Sequence, residues 1–394
     1  MADARGTARP QVSPINDPRW RSAIIQVLLC LVIAWLAYSA ISNAADNLAR
    51  ARVASGFDFW NSTAGFDISQ TLIPYTTQST YGRAFWVGLL NTLLVASLGI
   101  VFATIIGFAI GILQLSKNLL VSRLAASYVE IIRNLPLLLQ LLFWYNAVLK
   151  ALPNLRESLT IPGGAVLNNR GLFLPRPILG DTIEIALAAL ALGVIGAFAF
   201  WRWARRRQAL TGQQSPVLIV SLLLIIVMPI VVFAAIGSPV TFQMPEKGRF
   251  NISGGIEILP EFAALLFGLS IYTAAFIAEV VRAGIQSVSQ GQTEAAYSLG
   301  LRPGPTLRLI VIPQAMRVIV PPLTNQYLNL TKNSTLAVAI GYPDLVQVFT
   351  GTVLNQTGQA VEVVAVTMAV YLTISLVTSG LMTLYSWRFA LKER

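Results

Sequence analysis

The feature that most constrains this chain is a succession of apolar stretches, each about as long as the ~30 Å hydrocarbon core of a bilayer requires. They fall at about 23–42, 84–115, 124–149, 182–201, 217–236, 261–285, 317–340 and 360–387. In hydrocarbon a helix pairs every backbone N–H and C=O within its own segment, so such stretches read as membrane-spanning helices. The expected fold class is an all-α membrane protein with about eight transmembrane helices.

Composition then excludes function classes. Of 394 residues, 55% are hydrophobic and 11% charged, far from an ordinary soluble domain. Histidine is absent, which removes imidazole catalysis and His metal sites. Cys30 is the single cysteine, so no internal disulfide forms. No GxxxxGK[ST] phosphate loop occurs, so a partner or an ion gradient must supply any driving energy. The net charge of +11 would suit nucleic acid in a soluble chain. In a membrane protein, basic cytoplasmic segments explain it more simply. With eight spans and the N-terminus inside, the inside segments hold 17 Lys and Arg and the outside loops 9. That asymmetry puts both termini in the cytoplasm.

Along the chain, residues 1–22 form a polar tail expected to be disordered, with no cleavable signal. Residues 43–84 read as an extracytoplasmic segment. The second span is over-long and carries Gly107 and Gly111 in a GxxxG pattern that suits close helix packing. The third carries Glu130, Arg133, Asn134 and Pro136. Glu130 and Arg133 are three apart and can pair on one face or with a neighbour, as a gate or subunit contact or as a structural ion pair. Residues 150–260 look like an insertion: a polar loop (150–182), two spans joined by the basic turn WRWARRRQ, and a second polar loop (237–260). Glu279 and Arg282 lie near the end of the sixth span. The seventh is expected to be interrupted at 329–335 (NLTKNST).

The polar stretch 289–313, SQGQTEAAYSLGLRPGPTLRLIVIP, lies between two apolar spans. Locally it predicts two short helices with a sharp corner. Ser289 and Gln292 have capping-box spacing. Gly300 suits a left-handed C-cap, and Pro303 and Pro305 suit the first turn of the second helix. Ala295, Ala296 and Leu299 make a small apolar face that could enter a groove on another protein. The plainer alternative is a connector between membrane helices.

The spacing of Glu294-Ala295-Ala296, Gly300 and Ile310-x-Ile312-Pro313 resembles the EAA loop of ABC-importer permeases, with Ile312 where the family usually has Leu. Residues 91–112, 128–145, 270–300 and 329–345 also resemble the polar amino-acid permeases of that family. The length and extra segments resemble the Q-type subunit of general L-amino acid transporters. Two departures are Asn333, where the family often has Asp, and Asn134-Leu135, in place of a small pair before Pro136.

The resemblance implies a type I, methionine-permease-like core of five helices (the second, third, sixth, seventh and eighth spans), plus one N-terminal and two inserted helices. The chain would divide into 1–84 and a permease domain at 85–394 carrying the 150–260 insertion. It implies a non-enzymatic inner-membrane subunit that moves L-amino acids into the cytoplasm. It also implies a second permease subunit, two ATPase subunits that carry the ATP and Mg, a periplasmic amino-acid-binding protein and surrounding lipid. No cofactor sits on this chain and no nucleic acid is involved. Glu294, Ala295, Ala296, Gly300, Arg302 and Pro313 would dock the ATPase. An amino acid in a low-dielectric pore needs a partner for each charge. Glu279 could meet the ammonium, unless it is a structural partner of Arg282. Asn333, Ser334 and Thr335 could meet the carboxylate where the seventh helix is interrupted. Gln140 and Thr273 are further pore candidates. The rival reading is an ion-coupled secondary transporter, in which the broken seventh span with Lys332 would bind ions and substrate.

Overall fold

The computed structural model describes residues 18–50, 55–248 and 251–387. The tail at 1–17 and the basic C-terminus from 388 onward lie outside them. The helices are α1 Pro18–Arg50, α2 Tyr81–Gln114 and α3 Leu119–Asn134, then α4 Leu137–Leu149 and α5 Ile183–Thr211. They continue as α6 Val217–Ala235 and α7 Pro260–Gln286, α8 Gln290–Ser298, α9 Pro303–Ile340, α10 at 346–357 and α11 Ala360–Ser386. Among the described residues, seven helices are long and apolar enough to cross a membrane, or up to eight spans result if α3 and α4 count as one. The described residues fall into two compact units, one within 18–90 and 345–374 and the other within 91–344 and 375–387.

In the first unit, α1 runs on to Arg50, into sequence expected to be loop. Residues 55–80 fold around an aromatic cluster with α10. Trp60 packs on Phe85 at 5.1 Å, and Phe85 meets Phe349 edge-on at 5.3 Å. Gly82 is needed because the Trp60 indole occupies the space a Cβ would fill. Two bonds tie the segment down: the Gly56 amide donates to Glu362 Oε1 at 2.6 Å, and the Tyr81 hydroxyl to Gln356 Oε1 at 2.9 Å.

In the second unit, α7 is the central helix, with Leu265, Leu269, Ile277 and Val281 essentially excluded from solvent. The GxxxG pattern packs as expected. A Cβ on Gly107 would stand 2.6 Å from Ile277 Cβ, and one on Gly111 2.7 Å from the Ala278 carbonyl. The other face of α7 takes α9 through Ala315, Ile319 and Leu323. Three hydrogen bonds join neighbouring helices through side chains. Tyr128 donates to the Ile271 carbonyl at 2.7 Å, Tyr145 to Glu261 Oε1 at 2.6 Å, and Thr104 shares a bond with the Tyr327 hydroxyl at 2.8 Å.

Three expectations need correction, and the third span, expected at 124–149, is bent within its length: α3 and α4 meet at 103°. Pro136 has no N–H and pushes Leu135 to extended backbone (φ −100°, ψ 130°). The seventh span is not interrupted at 329–335. Its α-helix runs through Asn333 and tightens to a 3₁₀ helix over Ser334–Ile340. Polar side chains alone do not break a helix that lacks Gly or Pro at that point. The basic stretch WRWARRRQ is not a turn but two helical turns near the end of α5, which is capped at Gly212 with φ +71°. Finally, the two polar loops of the insertion are not irregular. They carry β1 Leu159–Ile161, β2 Ala165–Asn168, β3 Gly171–Leu174, β4 Arg176–Leu179, β5 Val240–Gln243, β6 Glu246–Lys247, β7 Ile252–Ser253 and β8 Ile256–Ile258. The antiparallel order is β1-β2-β3-β8, with β4-β5 and β6-β7 as separate ribbons. Leu172 opposes Ile258, and Pro177 opposes Phe242. These pairings bring both loops to the same end of the α5–α6 hairpin.

Candidate coupling loop and polar cleft

α8 is one exposed helix of nine residues. Its C-terminus closes in a Schellman motif. Gly300, at φ +77°, donates to the Tyr297 carbonyl at 2.9 Å, and Leu301 donates to the Ala296 carbonyl at 3.1 Å. Pro303 and Pro305 occupy the first turn of α9, where a missing N–H costs nothing. The chain then runs through a π-helical turn at Leu307–Val311 into the main part of α9 without a break. The corner is therefore sharp on one side only: the second short helix is the start of a long one.

Ser289 is the N-cap residue of α8, but its side chain makes no capping bond. Glu294, Ala295, Gly300 and Arg302 are exposed, and Leu299 is 82% exposed. Ala296 is 1% exposed, so it anchors the loop to its own chain and cannot enter a partner's groove as expected. Pro313 is partly buried. The outward apolar surface consists instead of Tyr297, Leu299, Leu307, Leu309 and Ile312.

Separate from this loop, α2, α3 and α7 enclose a cleft of about 610 Å³ lined by Gln114, Glu130, Arg133, Asn134, Glu279, Arg282 and Gln286, with Phe276 at its side. Helical spacing explains the lining. Glu279, Arg282 and Gln286 repeat at three and four residues along α7, and Glu130 with Arg133 or Asn134 does the same on α3. The ion pair here is Glu279 with Arg282, held through both carboxylate oxygens. Arg282 also donates to Gln286 Oε1 at 2.7 Å. Glu130 and Arg133 do not pair with each other. The Arg133 guanidinium lies over the Phe276 ring at 5.2 Å. The buried Gln114 Nε2 has no hydrogen-bond partner among the described residues.

The structure thus brings together residues the sequence assigned to different roles. Gln114 and Gln286 were missed, although the (i, i+7) relation of Gln286 to Glu279 was available. Other candidates lie elsewhere. Gln140 is buried and braces the bend: its Nε2 donates to the Ile132 and Leu135 carbonyls, both at 3.0 Å. Those are the acceptors freed where α3 ends, so this amide holds backbone rather than facing a pore. Thr273 is buried within α7. The Ser334 hydroxyl donates to the Thr331 carbonyl at 2.8 Å, and that of Thr335 to the Lys332 carbonyl at 2.8 Å. With α9 unbroken, the free N–H groups expected beside Asn333 are not offered.

Apolar helices long enough to span a membrane, with a polar cleft between three of them and an exposed polar loop, define a multi-span membrane protein. The chain belongs to the family of binding-protein-dependent transport system inner membrane components, which matches residues 209–390. It is similar along almost its whole length to the general L-amino acid transport system permease protein AapQ of Rhizobium johnstonii, with 50% identity over 390 residues covering 99% of this chain and 97% of the relative. It is also similar to the glutamate/glutamine/aspartate/asparagine transport system permease protein BztB of Rhodobacter capsulatus, with 42% identity over 415 residues covering 96% of each.

Proposed function

We propose that this chain is the transmembrane permease subunit of an ATP-driven importer that carries L-amino acids, with broad specificity, from the periplasm to the cytoplasm. The observation that carries the reading is the EAA-like stretch folded as an exposed helix with a rigid Schellman end, in a chain of this family. A loop of that form can transmit a push because its end is fixed by backbone bonds and by the buried Ala296. The partners follow from the same reading: a second permease subunit, two ATPase subunits holding ATP and Mg, and a periplasmic amino-acid-binding protein. The chain lies in the inner membrane with both termini cytoplasmic. Its inserted β layer faces the periplasm, where it can meet the binding protein or the partner permease. The ion-coupled secondary transporter is the weaker reading, since it relied on a broken seventh span and α9 is continuous.

Within this reading the polar cleft meets the substrate. Glu279 or Glu130 takes the ammonium, and Arg133 takes the carboxylate, because among the described residues its guanidinium pairs with no carboxylate. The test is ATP-dependent uptake of labelled amino acids in proteoliposomes that hold the chain with its partners. Glu279→Gln raises the apparent KM about tenfold, the worth of one charge-assisted hydrogen bond, and leaves basal ATP hydrolysis intact. Loss of assembly in that variant would make Glu279 structural. Failure of any ATPase to copurify with the chain would overturn the class.

A further inference from the structure

The helical hairpin α5–α6 carries a cationic surface to which the reading above assigns no part in transport. Arg202, Arg205, Arg206 and Arg207 occupy the last turns of α5 and are exposed. None of the four forms an ion pair among the described residues. From residue 185 to 245 the chain has no Asp or Glu, so no carboxylate on this hairpin competes for them. Two guanidiniums are held in place by rings: Arg205 lies 4.5 Å over Trp201, and Arg207 lies 5.3 Å over Trp203. Arg207 also donates to Gln213 Oε1 at 2.9 Å.

Helix geometry gives the cluster a direction. At about 100° per residue, Arg205, Arg202 and Arg206 share one sector, flanked by Trp201 and Trp203. Ala204, on the opposite side, is buried, as are Ala186, Ala189, Gly193 and Ala197 on the same stripe. The exposed side chains Leu187, Leu192, Ile195 and Phe198 lie in the sector of the arginines. One outward face of α5 is therefore apolar along the span and trivalently cationic at its end, with tryptophans at the boundary. That is the amphiphilic pattern of a lipid: an acyl chain along the apolar part and a phosphate against the guanidiniums.

We propose that this end of α5 binds an anionic phospholipid headgroup, with Arg202, Arg205 and Arg206 contacting the phosphate. The continuity of the charged patch with the apolar face selects a lipid over free phosphate, which would gain nothing from Phe198 or Ile195.

The test uses the full-length chain, purified in detergent and stripped of lipid, then titrated with phosphatidylglycerol or phosphatidylcholine while bound copies are counted by native mass spectrometry. The wild type retains phosphatidylglycerol about tenfold or more over phosphatidylcholine, since each basic group near an anionic headgroup is worth about fivefold. The triple variant Arg202→Gln/Arg205→Gln/Arg206→Gln loses that preference, and the triple Lys variant keeps part of it. The single variants Arg202→Gln and Arg206→Gln each lose a fraction, which keeps the test open if the triple variant inserts poorly. Unchanged phosphatidylglycerol retention in all the Gln variants would overturn the proposal. So would full displacement of the lipid by an equal concentration of inorganic phosphate, or retention of a soluble protein by this patch with lipid binding unaffected by the substitutions.

Discussion

Replacing Gly300 tests the coupling loop through backbone conformation alone. Its φ of +77° lies in the left-handed region, and a Cβ placed there would meet nothing within 4 Å. No side chain therefore clashes, and the whole effect of a substitution is torsional. An L-residue in this region costs roughly 1–2 kcal/mol. Asn tolerates it best, Ala bears the full penalty, and a β-branched side chain bears more. A penalty of that size lowers the population of the closed Schellman end about five- to thirtyfold relative to an open one. The two bonds at stake are Gly300 to Tyr297 and Leu301 to Ala296, and losing them frees the exposed half of α8 while the buried helices keep their packing. The assay is uptake and transport-stimulated ATP hydrolysis in proteoliposomes for Gly300→Asn, Gly300→Ala and Gly300→Val, with membrane expression and melting temperature as controls. Activity falls in that order at unchanged expression and melting temperature. Wild-type transport in Gly300→Val, or equal transport in the Asn and Val variants, would refute the reasoning.

Three further outcomes follow from the packing. Gly107→Leu places a side chain where even a Cβ stands 2.6 Å from Ile277 Cβ, so α2 separates from α7. A stability loss of about 1–3 kcal/mol or more shows as a lower detergent melting temperature, and Ile277→Ala in the same chain restores part of it. Gln140→Leu removes both donors that hold the α3–α4 bend at a cost of about 1–3 kcal/mol. Thermal melts detect it, and transport falls in Gln140→Leu more than in Gln140→Asn. Burial, then the neighbouring Asp67 and Tyr81, push the Tyr75 hydroxyl from 10.0 up to about 12. The fold favours the neutral phenol, so its contribution is complete below pH 10 and is lost as pH rises toward 12. Tyr75→Phe shows a shallower alkaline loss of stability across that window than the wild type in pH-dependent melts.

What the sequence determined by itself is what local backbone chemistry decides. A helical hydrogen bond joins residues four apart, so an apolar run of sufficient length declares its own span, as α2, α7 and α11 do. The left-handed end of α8 was legible because Gly300 and the prolines after it each restrict φ within a few residues. The close packing at Gly107 and Gly111 was also legible, since missing side chains at that spacing leave one open strip along a helix. Tertiary structure decided the rest. Pro136 announced a disturbed helix, but the 103° bend persists because Gln140, on the next helix, satisfies the freed carbonyls. NLTKNST looked like a break because it is polar, yet nothing in it removes an N–H or demands a positive φ, and the helix continues. The strand pairs β3–β8 and β4–β5 join residues on opposite sides of a helical hairpin, where loop sequence carries no trace of its partner. The polar cleft is the clearest case. Gln114, Glu130, Arg133 and Glu279 come from three helices and became neighbours only through packing. Ala296 looked as available as Ala295 and is buried, because which side of a short helix faces inward depends on what it lies against.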